Sequence, residues 1–394
     1  MPKIRDVLGF SVDGRIVYTT LDSAPLSVVG TYSAPLDGSA PPVTLTQAAA
    51  RYLSPDGRWI VFGLAGNPSL LSASTDGASG EVVLGTTGQS GSIGLAPDNT
   101  HVLFVARDSG LHPFELYSTR LDGTATPQRI SAPLVSGIGA SFFGFSPDGT
   151  AALYFADDRV DEQGELFIAS VDGSFPARRL NGPLAASGAV WMAFFTPDGT
   201  RVAYAANQDV SSQVDLYVVP SDGTLPPLKL TSTGLDWRNT KLSNTHAYFV
   251  AGTTRQLFRS PLDGSAPPER LTTASNVRVP ALTPDGSRLV FRASSGLFSV
   301  LADGSAGTLL GQDVSTFQLS RNGASVVFLA PSGALFGVPV GGGATPKALS
   351  FGLLDAWEYT IDPDGSRVLF LAKEDDLGPR ELYQSFLAPA HRAR

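Results

Sequence analysis

Residues 142–181 read FFGFSPDGTAALYFADDRVDEQGELFIASVDGSFPARRLN, two hairpins in succession. The first turns at Ser146-Pro147-Asp148-Gly149. Proline presets φ for the second turn position, aspartate can bond its own backbone, and glycine accepts positive φ without steric cost. The limbs, Phe142-Phe143-Gly144-Phe145 and Ala152-Leu153-Tyr154-Phe155, carry aromatic and aliphatic side chains suited to a buried pleated surface. The second hairpin runs from Glu165-Leu166-Phe167-Ile168-Ala169 through Asp172-Gly173 to Arg178-Arg179-Leu180. Four short strands in about 40 residues make an antiparallel sheet too small to bury its own faces, so it must stack on copies of itself.

Copies are present along the chain. First-hairpin turns occur at Ser11-Val12-Asp13-Gly14, Ser54-Pro55-Asp56-Gly57, Ala96-Pro97-Asp98-Asn99, Ser146-Pro147-Asp148-Gly149 and Thr196-Pro197-Asp198-Gly199. They continue at a shortened Ser243-Asn244-Thr245, then Thr283-Pro284-Asp285-Gly286, Ser320-Arg321-Asn322-Gly323 and Asp362-Pro363-Asp364-Gly365. Second-hairpin turns follow eight of these nine, from Asp37-Gly38 to the variant Gly342-Gly343. The ninth repeat reaches Glu381-Leu382-Tyr383 and meets the end of the chain. A spacing of about 44 residues is that of a four-stranded propeller blade. The sequence therefore predicts an all-β chain, residues 1–394 forming a single β-propeller domain of nine antiparallel blades, with eight as the fallback. The last blade needs an outer strand. Pro2-Lys3-Ile4-Arg5, similar to Pro346-Lys347-Ala348-Leu349, is one donor, and the tail from Leu387 to Arg394 is the other.

Composition sets the outer bounds. Gly 42 and Pro 29 among 394 residues fit a turn-rich chain, and 42% hydrophobic residues provide for a core. A net charge of -8 without a basic run points away from nucleic acid. Cysteine is absent, which removes disulfide and thiolate chemistry. MPKIRDVLGF lacks the apolar core of a signal peptide, and no run approaches the roughly 18 apolar residues of a membrane span. The expectation is a soluble monomer without membrane insertion.

The recurring pattern (L/F)-S-P-D-G-x-x-(V/L)-x-(F/Y), followed by (E/D)-L-(Y/F)-x-x-x-x-D-G and P-x-x-L-T, resembles the TolB-type, WD40-like propeller repeat. Similar repeats occur in the propellers of prolyl oligopeptidases and of oligogalacturonate lyases. The resemblance spans nearly the whole chain and implies the fold; TolB itself carries an α/β N-terminal domain that has no counterpart here. By analogy it also implies a periplasmic or secreted setting and protein partners. One scaffold carries many sites, so function has to be argued from residues.

Both kinds of Gly turn fall on one face of a propeller, leaving the variable loops on the other, where function is usually placed. Three of the four tryptophans, Trp191, Trp237 and Trp357, lie where the chain enters the inner strand of its repeat. Arg238, Arg278 and Glu358 hold matching places. These six residues are the candidate binding site, aromatic faces beside arginine and carboxylate; the competing expectation is that the rings fill wedges between blades. An acidic loop with Asp157, Asp158, Asp161 and Glu162 is the candidate metal site, for Ca²⁺, although its spacing follows no known calcium loop. Glu374, Asp375 and Asp376 form a second acidic loop.

No nucleophile elbow, phosphate-binding glycine motif or histidine-rich metal set appears. His101, His112, His246 and His391 are scattered. The repeat aspartates are expected to bond turn amides. Two functional expectations follow. The first is a non-enzymatic binding scaffold that engages a protein or peptide through the variable face, with no cofactor. The second is a metal-assisted lyase or hydrolase acting on a polysaccharide or peptide at the channel mouth.

Overall fold

In a computed structural model the described residues are 3–21, 28–64, 67–86, 92–107, 113–134, 139–157, 163–231, 235–362, 364–375, 378 and 381–387. They form nine antiparallel sheets arranged as a nine-bladed β-propeller with no helix. Within each blade the strands pair in chain order, and the first strands of blades one and two, and of blades three to seven in succession, lie beside one another. Blade five shows the plan: Val190–Phe195, Arg201–Ala206, Asp215–Pro220 and Leu228–Lys229.

The repeat turns act as their chemistry predicts. In blade four the Asp148 carboxylate accepts the Ser146 hydroxyl at 2.6 Å and the Thr150 amide at 3.1 Å. Gly149 has φ 74°, and a Cβ there would stand 2.6 Å from the Asp98 backbone nitrogen of the preceding blade. Where the third repeat replaces this glycine, Asn99 adopts the same conformation at φ 60°. Its side-chain oxygen accepts the Asp56 amide of blade two, so the substitution links two turns.

Strand alternation makes the blade interfaces. Tyr204 and Tyr217 stack at 5.3 Å and pack with Leu153, Leu166 and Ile168 of blade four. Ala203, Ala205, Leu216 and Val218 face the other way, toward Phe249 of blade six. Each sheet thus buries both faces between neighbours, the arrangement that period-two patterning on a small sheet requires.

At the meeting of the two chain ends, Val368, Phe370 and Ala372 of blade nine face blade eight. Leu369 and Leu371 point away from it, and each is 2% exposed. On blade one, Val17 faces blade two, and its neighbour Ile16, on the opposite face, is 3% exposed. Those are the faces that meet when a ring closes.

Closure does not use the N-terminus as an outer strand. Lys3-Ile4-Arg5 instead begins Lys3–Phe10, the first strand of blade one, and Ile4 lies opposite Thr20. The short connection from Phe10 to Ile16 fixes that pairing: the hairpin at Ser11-Val12-Asp13-Gly14 holds its two limbs together. Among the described residues blade nine has three strands, Tyr359–Ile361, Arg367–Ala372 and Glu381–Phe386. Residues 388–394 lie outside the described residues.

Candidate functional site

The inner strands of blades four to seven are not regular. In blade four Phe142 pairs with Tyr154 and Gly144 with Leu153, leaving Phe143 as an extra residue. In blade five Val190 pairs with Ala206 and Met192 with Ala205, and the extra residue is Trp191. In blade six Asp236 pairs with Val250 and Lys241 with Tyr248, so Trp237, Arg238, Asn239 and Thr240 stand opposite Phe249 alone. In blade seven Arg278 pairs with Arg292 and Ala281 with Val290, so Val279 and Pro280 stand opposite Phe291 alone. A bulge bends its strand and re-aims a side chain, and bulges concentrate beside functional sites. Four adjacent blades carry one at the same end of the inner strand.

The bulges bring part of the expected site together. Trp191 and Trp237 stack with ring centroids 6.4 Å apart and planes 22° from parallel. The Arg238 guanidinium carbon lies 4.2 Å from the Trp237 ring centroid, a cation–π contact. The Trp191 indole N–H donates to Asn207, at the start of a loop on the variable face. Trp191 remains 47% exposed, so it does not fill a wedge, whereas Trp237 is half-buried against the core between blades five and six.

Beside this pair, between blades six and seven, opens a cleft of about 560 Å³. Its charged lining is Arg238, Lys241, Arg255, Arg278 and Asp236. Arg255 pairs with Asp236 at 2.5 Å, and Asn239 donates to the same carboxylate at 2.8 Å. The Asn239 oxygen accepts the Val279 amide at 2.6 Å, which ties the two blades together. Among the described residues no carboxylate pairs with Arg238, Lys241 or Arg278. Lys241 keeps solvent contact but is surrounded by protein in the concavity, and this desolvation draws its pKa below the ordinary lysine value. A chain of net charge -8 thus gathers four cations and one carboxylate around one opening.

Trp357 and Glu358 are not part of this assembly. They sit in blade nine, two blades beyond blade seven, where the Trp357 ring is 61% exposed and the backbones of both residues pair with Leu371. Of the candidate calcium ligands, Asp157 is buried at the end of its strand, while Asp158, Asp161 and Glu162 lie outside the described residues. Glu374 and Asp375 are described and Asp376 is not. Among the described residues no group of three or more Asp, Glu or His side chains converges as a metal site. His112 and His391 likewise lie outside them. His101 bonds Asp98 and Thr100 in its own hairpin, and burial together with Arg259 lowers the pKa of His246.

Sequence reasoning missed Asp236, Asn239, Lys241 and Arg255. The signal for three of them was the polar run Asp236-Trp237-Arg238-Asn239-Thr240-Lys241, which breaks strand alternation. Arg255, the residue immediately after the short loop Gly252-Thr253-Thr254, gave none.

We found no family model that matches the sequence and no curated protein with significant sequence similarity. Solved structures do match in shape. One of two prolyl endopeptidases aligns at a TM-score of 0.50 and 11% identity, over 84% of this chain and 54% of its own. An oligogalacturonate lyase in complex with manganese aligns at 0.46 and 13%, over 84% and 96%. A putative TolB from Agrobacterium tumefaciens aligns at 0.36 and 15%, over 98% and 100%. The likeness is one of fold. Identities this low carry no residue of a site from those proteins to this one.

Proposed function

We propose that the chain acts as one domain, a non-enzymatic binding propeller that engages a protein or peptide through the rim of blades five to seven. The observation that carries this reading is the Trp191–Trp237–Arg238 stack, in which one exposed and one half-buried indole stand beside a guanidinium next to an open cleft. Tryptophan and arginine dominate the energetic centres of protein interfaces, because they combine large contact area with directional hydrogen bonding. The bulges add a second support: Trp237, Arg238 and Asn239 lie outside the regular ladder, beside the cleft. No helix among the described residues is long and apolar enough to cross a membrane. By the repeat resemblance, the setting we propose is periplasmic or exterior, and the protein a monomer.

Crosslinking in an envelope extract of the producing cell, with wild type and a Trp237→Ala/Arg238→Ala variant, tests the reading. The expected result is a protein partner captured by the wild type and lost from the variant. Equal capture by both would remove this rim from the binding role.

A further inference from the structure

Resting on that peptide-binding reading, we infer that the cleft between blades six and seven is a carboxylate-recognition site, so that the ligand is an acidic peptide segment. The cations come from separate strands and loops. Arg238 and Lys241 are on the bulged inner strand of blade six, Arg255 follows its outer loop, and Arg278 opens the inner strand of blade seven. Cations placed together without partners repel one another and cost stability, and an arriving anion turns that cost into affinity. Asp236 neutralises only Arg255. Arg238 and Arg278 are exposed, and their planar forks match carboxylate geometry.

The same groups argue against a neutral sugar ring as the main ligand. Trp237 is already engaged by Trp191 and by Arg238, which leaves less free indole face for a pyranose to stack on. Asn239, the neutral amide in the cleft, is committed through its nitrogen to Asp236 and through its oxygen to Val279. Sugar hydroxyls would therefore meet mostly cations, whereas a carboxylate meets the donors that remain. The exposed part of Trp191 then suits an aliphatic residue flanking the acidic one.

Selection from a random hexapeptide library, capped at both ends, tests the inference with wild type, Arg238→Gln and Arg278→Ala. Both arginines are exposed, so neither substitution threatens the fold. Enrichment of Asp and Glu by the wild type is expected, with the selected peptide binding about tenfold or more weakly to each variant and weakening as salt rises. Its Asn/Gln counterpart should lose a similar factor. Selection of neutral peptides indifferent to Arg278→Ala would overturn the carboxylate site while leaving the peptide-binding reading intact. No selection above background would overturn both, whereas saturable binding of trigalacturonate in place of any peptide would overturn the peptide reading, and with it the acidic peptide as ligand, while its carboxylates would leave the cleft a carboxylate site. Preference for a phosphoserine peptide over its glutamate counterpart would assign the cleft to phosphate and overturn the carboxylate inference.

Discussion

Trp191 and Trp237 come from different blades, yet their rings stand 6.4 Å apart and nearly parallel. The contact depends on two bulges of different size, one residue in blade five and a four-residue run in blade six. Each bulge carries its indole clear of the regular pleat.

The two rings should differ in what they contribute to stability. Trp237 packs on the core that contains Leu235, Leu242 and Phe249, whereas Trp191 is about half exposed and held mainly by its bond to Asn207. Trp237→Ala is expected to cost about 2 kcal/mol and Trp191→Ala less than about 1 kcal/mol in urea unfolding. Either substitution should remove the same part of the near-ultraviolet circular dichroism, because both rings are needed for coupling. Equal stability losses would mean that the stack does not sit on the core as described.

Tyr204 supplies a sharper test of the blade interfaces. It is fully buried, stacked on Tyr217, and its hydroxyl donates to Gln208 at 2.6 Å. Burial pushes its phenol far above the ordinary tyrosine pKa. Tyr204→Phe keeps the ring and leaves the Gln208 oxygen with the Gly182 amide, at 3.1 Å, as a remaining donor, so a loss on the order of 1 kcal/mol is expected. Tyr204→Ala opens a cavity against Leu153 and Leu166 and should cost about 3 to 5 kcal/mol. Comparable losses for the two would place the value in the hydroxyl rather than in packing.

The turn carboxylates predict how stability responds to acid. The Thr283 hydroxyl, then the Ser287 amide and hydroxyl, hold Asp285 down to about 2 from 3.8. Asp148 is lowered by its bonds to the Ser146 hydroxyl and the Thr150 amide. A folded pKa below the unfolded one means the stabilisation is fully present above the unfolded value and is lost as pH falls through the folded value. For Asp285 that window runs from 3.8 down to about 2. Asp285→Asn should flatten the fall of unfolding free energy across it, measured by urea titration at several pH values. Blade eight shows that asparagine fits the turn, since Asn322 accepts the Ser320 hydroxyl at 2.7 Å. An unchanged slope would deny the turn aspartate its part in acid sensitivity.

These turns were legible in the sequence because their chemistry is local: proline, aspartate and glycine act within four residues. The bulges were not. That Trp237, Arg238, Asn239 and Thr240 oppose Phe249 alone is a matter of register between two strands, which no single strand encodes. For the same reason the spacing from each turn singled out Trp191, Trp237 and Arg278 but grouped with them Trp357 and Glu358, which belong to blade nine. Spacing gives a residue's height in its blade, and the cleft is a property of two particular neighbours. Lys3-Ile4-Arg5 failed differently: its likeness to Lys347-Ala348-Leu349 is one of composition, and the hairpin after it outweighs that likeness.

Val279 ties the backbone to the site. It sits in the blade-seven bulge with φ 51°, a left-handed conformation that a β-branched residue rarely adopts, and it is 58% exposed. Little packing compensates for that strain, which is on the order of 1 to 3 kcal/mol. What holds the conformation in place is the Val279 amide donating to Asn239, so the strain serves the junction of blades six and seven. Val279→Gly removes the steric conflict and adds unfolded-state entropy of about 0.5 to 1 kcal/mol. A net gain near 1 kcal/mol in urea unfolding is therefore expected. Because glycine also frees the bulge that presents Arg278, peptides selected by the wild type should bind more weakly to this more stable protein. Greater stability with unchanged binding would show that the strained bulge does not shape the cleft; lower stability would show that the valine side chain contributes more contact than its exposure indicates.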